Sequence, residues 1–143
     1  MRAKAAQERI IRDSGVPYSI VRATQFFEFS KRIAQGATVD GVVRLPAVRY
    51  QPMAAADVAL AVSRVAVDSP LNGVVDIAGP TAYSFDEFIS RALADEGEPQ
   101  QVVTDPQARY FGAVLGESIL VPGENARLGA TTYEQWSAAQ AGK

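Results

Sequence analysis

The sequence predicts an α/β fold with a largely parallel sheet. Two short apolar runs rich in β-branched residues, Tyr18–Val21 and Val74–Ala78, are bounded by Ser-Gly, Asn-Gly and Gly-Pro breakers and read as buried strands. Segments of helical apolar spacing separate them, which implies crossover connections. At 143 residues and 48% apolar content, the chain reads as a single domain spanning 1–143, with enough side chains for a sizeable core.

Taken in order, residues 2–13 read as a helix. Ala3, Ala6 and Ile10 share a face, Glu8 precedes Arg12 by four, and Ser14-Gly15 ends it. A strand over 17–22 and a helix over 25–34 follow, closed by Gly36. Asp40-Gly41 between Val39 and Val42 is a strong two-residue hairpin signal, with a return strand Val42–Leu45 halted by Pro46. A helix at 54–67 carries Val58, Val62 and Val65 on one face and Asp57 in its first turn. After the 74–78 strand, Ser84-Phe-Asp-Glu87 reads as a capping box for a helix ending near Gly97. Val102-Val103 is a short strand, and Asp105-Pro106 predicts a helix through Leu115. A loop-like stretch from Leu120 to Gly129 precedes a second capping box, Thr131 to Glu134, and a last helix with Tyr133 and Trp136.

Composition removes several chemistries. The chain has no cysteine and no histidine, so disulfides, thiolate metal sites and His-dependent triads are excluded. No run of 18 apolar residues and no signal-peptide pattern is present; the expectation is a cytoplasmic protein without a membrane partner. Charge is uneven: residues 1–35 carry seven basic and three acidic side chains, while 68–105 carry eight acidic ones and only Arg91. A basic first segment could face an anionic cofactor, or Arg2, Arg9 and Arg12 simply line the wet face of one helix. A pI near 5.1 and the lack of aromatic interleaving argue against nucleic acid. The basic and acidic segments are expected to face each other, within one chain or across a dimer.

The chain is organised around Val16–Phe29. Its apolar strand turns polar at Arg22, and Phe26, Phe27 and Phe29 then change to helical spacing. Ligands in open α/β sheets bind outside the carboxyl ends of the strands, which places a candidate site at Arg22 to Phe27.

An ordered set of motifs gives a more specific expectation. Lys4-Ala-Ala-Gln-Glu8, Ser14-Gly-Val-Pro-Tyr18, Ile20-Val-Arg-Ala-Thr-Gln-Phe-Phe27, Val43-Arg-Leu-Pro46, Gln51-Pro52, Ala56-Asp-Val-Ala59 and Asn72-Gly73 with Ile77-Ala-Gly-Pro80 follow in sequence. The set resembles the C-terminal half of an NmrA-like, atypical short-chain dehydrogenase/reductase, most strongly over 3–95. The resemblance implies the C-terminal part of a Rossmann-like, doubly wound fold whose N-terminal dinucleotide-binding half is absent. No two glycines stand two apart, so G-x-G-x-x-G is missing. Of the family's Tyr-x-x-x-Lys pair only the lysine, Lys4, is present; its tyrosine would fall one position before Met1. The sequence thus reads as a separately expressed half, a truncated product, or one beginning at an internal methionine.

By that resemblance Lys4 would be catalytic and would hydrogen-bond the nicotinamide ribose of NAD(P). Ala23, Thr24, Gln25 and Phe26 would border the cofactor, and Gln25, Phe27, Arg44 and Gln51 the small-molecule substrate. Each has a plainer reading: Lys4 as a surface lysine paired to Glu8, Thr24 as a helix cap, Phe27 and Phe29 as core, Arg44 as an exposed strand arginine. Asp57 reads as a helix-start stabiliser, and Tyr110-Phe111 as a cover for the site. The implied reaction is hydride transfer to or from a small carbonyl or quinone-like substrate, with the isolated chain inactive. An NAD(P)-sensing regulator and a stand-alone interaction module are the alternatives. The strand Tyr18–Val21 is built for neighbours on both sides, so a homodimer through an exposed sheet edge, a domain-swapped assembly or a loosely folded state is expected instead of a stable monomer.

Overall fold

The computed structural model describes residues 2–142 as an α/β structure. Helix α1 (Arg2–Asp13) ends where Ser14 Oγ donates to the Ile11 carbonyl at 2.7 Å and Gly15 takes a φ of +71°. Strand β1 (Ser19–Ala23) follows. Of the arginines expected on the wet face of α1, Arg9 and Arg12 are exposed; the Arg2 side chain, like Met1 and Lys143, lies outside the described residues.

The helix expected over 25–34 begins later. Phe26 is extended (φ −108°, ψ 146°) and bridges to Met53, because Met53 N donates to the Gln25 carbonyl and Phe27 N to the Met53 carbonyl. These bonds hold the strand-end residues out of helical conformation. A 3-10 turn at Phe27–Phe29 then leads into α2 (Ser30–Ala37).

The Asp40-Gly41 hairpin forms as its sequence predicts. Both central residues have positive φ (+50° and +78°), joining β2 (Thr38–Val39) to β3 (Val42–Leu45). A short β4 (Arg49–Tyr50) precedes α3 (Ala55–Val67). Then come β5 (Gly73–Ala78), β6 (Tyr83–Ser84), α4 (Phe85–Asp95) and β7 (Val102–Thr104).

The helix expected from Asp105 to Leu115 is instead a hairpin of β8 (Arg109–Tyr110) and β9 (Ala113–Val114). Asp105 Oδ1 accepts from Gln107 N in a local turn, and Phe111 and Gly112 both adopt positive φ. The Tyr110 ring sits edge-on to Phe85 at 5.4 Å, a contact that rewards the extended backbone. Strand β10 (Arg127–Leu128) and α5 (Tyr133–Ala141) complete the chain.

Both expected capping boxes differ in detail. Ser84 Oγ donates to the buried Asp86 carboxylate and makes no cap bond to its own helix. At α5 the reciprocal pair is Thr132 and Gln135, one residue beyond the expected frame.

Three strands form a parallel sheet in the order β1-β5-β10, with Val21 opposite Val75 and Arg22 opposite Asp76. A second sheet, β2-β3-β7, is mixed. Two cores result. The larger gathers Phe27, Tyr50, Phe85, Phe88, Leu93 and Tyr133, with Phe88 within 6.0 Å of four other rings. The smaller, under α3, holds Met53, Val65, Val75 and Ile77. Phe29, expected in the core, is 47% exposed and stacks on Phe26 instead.

The expected pairing of basic and acidic segments reduces, among the described residues, to Lys31 with Glu98 at 2.6 Å. No described helix is long and apolar enough to cross a membrane.

Among the described glycines, Gly79 permits the tightest approach. A Cβ there would stand 1.9 Å from the Pro52 carbonyl oxygen. Gly79→Ala should therefore cost ~1–3 kcal/mol or more, lowering Tm by about 5–15 °C in a thermal melt. Gly36→Ala, in a helix with open space at the new methyl, should stabilise by ~0.5–1 kcal/mol.

Candidate functional site

The carboxyl end of β1 opens into a concavity of about 1840 Å³. One wall is α1, the floor is β1 and the strand-end segment with Asp76 and Ile77 of β5, and α2, the 109–112 hairpin and residues 119–123 contribute the remainder. Of the residues singled out in the sequence, Lys4, Ala23, Thr24, Gln25 and Phe26 line it together.

The strand end is fixed by hydrogen bonds with few alternatives. Thr24 N donates to the Ile77 carbonyl at 3.1 Å, and Thr24 Oγ1 to the Gln51 carbonyl at 2.6 Å. Gln51 Nε2 donates to the Gly79 carbonyl at 2.8 Å. The carbonyl of Gln25 is taken by Met53 N, while its side-chain Oε1 is buried and accepts from no group among the described residues. An orphaned buried acceptor costs free energy, so Gln25 is the residue with an unmet requirement here.

Three expected residues lie elsewhere. Phe27 is 1% exposed and packs against Phe88, Tyr133 and Trp136, so it belongs to the core and not to the wall. Arg44 is exposed on β3 and lies 3.9 Å from Asp105. Gln51 contributes through its bonds to Thr24 and Gly79 and does not line the concavity.

Lys4 is exposed on α1, with Nζ 3.4 Å from Gln7 Oε1. Its expected partner Glu8 is engaged otherwise. Glu8 accepts from Arg22 Nε at 2.8 Å and Nη2 at 2.6 Å, and from Arg12 at 3.0 Å. The bidentate Arg22 contact holds the Glu8 carboxyl below the usual carboxylate range. It also ties α1 to the end of β1, where the helix forms the wall that presents Lys4. Sequence reading paired Glu8 with Arg12 by spacing; the long-range partner had no local signature.

Asp57 does not cap its own helix. It accepts from Thr131 N at 2.9 Å and Oγ1 at 3.0 Å, binding the start of α3 to the segment before α5. The cap of α3 is Glu28, whose two carboxylate oxygens each lie 3.1 Å from Ala55 N. Tyr110 and Phe111, expected as a cover, do line the concavity; so do Phe29, expected in the core, and Arg32 and Arg109, which the sequence reading passed over.

Among the described residues, no group of three or more acidic, His or Cys side chains is placed to hold a metal ion. Neither a protein-family model nor a curated protein matches the sequence.

A carboxylate whose pKa is depressed by folding contributes stability above its unfolded value, lost as pH falls through the folded value. For Glu8 the unfolded reference is 4.5, so α1 should loosen from β1 only under acid conditions below it. Hydrogen exchange across residues 2–13 should accelerate in that range. Glu8→Gln should produce the same acceleration at neutral pH and remove its pH dependence.

Proposed function

We propose that this chain is the substrate-side, C-terminal portion of a Rossmann-like, NAD(P)-dependent oxidoreductase of the NmrA-like, atypical short-chain dehydrogenase type. The reaction is hydride transfer to or from a small carbonyl or quinone-like substrate. One observation carries the reading: Lys4, Ala23, Thr24, Gln25 and Phe26 line one concavity at the carboxyl end of a parallel strand. That is where open α/β sheets bind ligands.

The residues fit the nicotinamide end of a dinucleotide and not its pyrophosphate. Gln25 lines the concavity with a side-chain amide, a group suited to a carboxamide or hydroxyl. Lys4 brings an exposed ammonium to the same wall, suited to ribose hydroxyls. The glycine pattern that lets a backbone approach a pyrophosphate is missing from this sequence. When bound, the dinucleotide supplies the hydride. The chain's own part is to orient: Thr24 is locked to Gln51, Gln25 is held by Met53, and the Lys4 ammonium favours an anionic or proton-donating neighbour. A regulator that senses NAD(P) would use the same contacts without the chemistry.

The partner we propose is a second copy, paired through β1. The Tyr18 carbonyl accepts from Asn72 N and Thr24 N donates to the Ile77 carbonyl, so the even-numbered residues of β1 face β5. The N–H and C=O groups of Ser19, Val21 and Ala23 therefore point away from it, along the sheet's open edge. Val21→Pro removes one outward donor and leaves the ladder to β5 intact. Light scattering should find a dimer for the unmodified chain and a monomer for Val21→Pro; a monomeric unmodified chain rejects the pairing.

The test of the functional reading is saturation-transfer NMR with NADPH. Binding should be weaker than micromolar, with transfer strongest to the nicotinamide ring protons. Gln25→Ala should weaken it by a factor of about 10, one hydrogen bond's worth. Transfer centred on the adenine, or none at all, rejects the reading, and turnover of quinones by a complete protein separates enzyme from regulator.

A further inference from the structure

The exposed rings of Phe29 and Phe111 and the guanidinium groups of Arg32 and Arg109 line the concavity and have no part in the reading above. The rings of Phe26 and Phe29 stack at 5.3 Å with an interplanar angle of 17°, and Phe29 remains 47% exposed. Phe111, at the tip of the β8–β9 hairpin, is 92% exposed and sits at a φ of +48°, a left-handed backbone that bulky residues rarely adopt. Its ring meets Tyr110 edge-on at 4.6 Å. All four side chains line the same concavity. Aromatic rings left this exposed, on two separate elements bordering one hollow, are the pattern of a binding surface.

The charge is equally one-sided. Lys4, Arg12, Arg22, Arg32 and Arg109 line the concavity against only Glu8 and Asp76. Glu8 is taken by Arg12 and Arg22. Arg32 makes no ion pair among the described residues, and Arg109 gives one donor to the Gly112 carbonyl, leaving the rest of its guanidinium unpartnered there. A guanidinium fork suits a carboxylate or sulfonate.

We infer that the concavity binds a planar aromatic anion. The ring lies against the Phe26–Phe29 stack, Phe111 covers it, and its acid group is held by Arg32 and Arg109. A simple anion would leave the aromatic surfaces unexplained, and a neutral ring the two arginines. This rests on reading the concavity as the ligand site, and narrows that reading to a substrate class.

The test is calorimetry on the full chain with three probes: naphthalene-2-sulfonate, cyclohexanesulfonate and the neutral naphthalene-2-sulfonamide. The aromatic anion should bind about tenfold tighter than either of the others. Phe111→Ala and Arg109→Gln should each weaken it by a factor of about 3 to 10, with circular dichroism unchanged because both side chains are exposed. Equal affinity for the two sulfonates overturns the inference. So does an unchanged Kd in both variants, or the absence of heat at millimolar probe. No nucleotide enters this assay, so its failure leaves the nicotinamide contacts standing, and the failure of those contacts leaves this result intact.

Discussion

The structure depends on one close backbone approach, the crossing of Pro52 over Gly79. Because Gly79 has no Cβ, the Pro52 carbonyl oxygen can occupy space that a methyl group would fill. The segment Gln51–Met53 therefore lies across the carboxyl ends of β1 and β5. From there it makes five hydrogen bonds outward, to Thr24, Gly79, Leu120, Gln25 and Phe27. Those bonds join the two cores. Met53 enters the cluster beneath α3, while Tyr50 and Ala54, on either side, enter the aromatic cluster around Phe88. With the N–H and C=O groups of Gln51 and Met53 all bonded, there is little freedom for β1 to slide against the rest of the fold.

The same crossing shapes the site. Residues 24–26 stay out of the following helix at the rim of the concavity, since Thr24 N is bonded to Ile77 and the Gln25 carbonyl and Phe27 N are both bonded to Met53. Phe27 is driven into the core by the first helical turn, and Phe26 and Phe29 are left to stack outside. The wall opposite owes its position to charge: the Glu8 carboxylate, held by two guanidinium groups, sets α1 beside β1. Such exposed pairs contribute little to global stability, but they can decide where a helix rests. The concavity is accordingly a product of a rigid floor and a more loosely tethered wall.

The legible and illegible parts of the sequence separate by the range of the interactions that decide them. Asp40-Gly41 forms its hairpin because both residues tolerate positive φ intrinsically. Phe111-Gly112 forms the same kind of turn, yet Phe111 has no such preference, and the turn exists because Tyr110 packs on Phe85. Asp105-Pro106 carries a sound local signal for a helix start, and packing overrides it. The capping pairs show the same limit at finer scale: Thr131 is drawn to Asp57, 74 residues away, so Thr132 takes the cap. Among site residues, Lys4 and Ala23 to Phe26 were legible from strand-end position and motif order. Arg32 and Arg109 were not, because they reach the concavity from elements whose placement no local pattern encodes.

By itself the sequence determined the α/β class, the positions of β1, β3, α3 and β5 to within two residues, and the absence of cysteine and histidine chemistry. Those follow from hydrophobic period, turn residues and composition, which act over a few residues at a time. Only the tertiary structure decided that Glu8 pairs with Arg22, that Glu28 caps α3, and that the Gln25 carbonyl is bonded to Met53. Each of those results from a contact between segments far apart in the chain, whose energy exists only once the packed fold has brought them within hydrogen-bond distance.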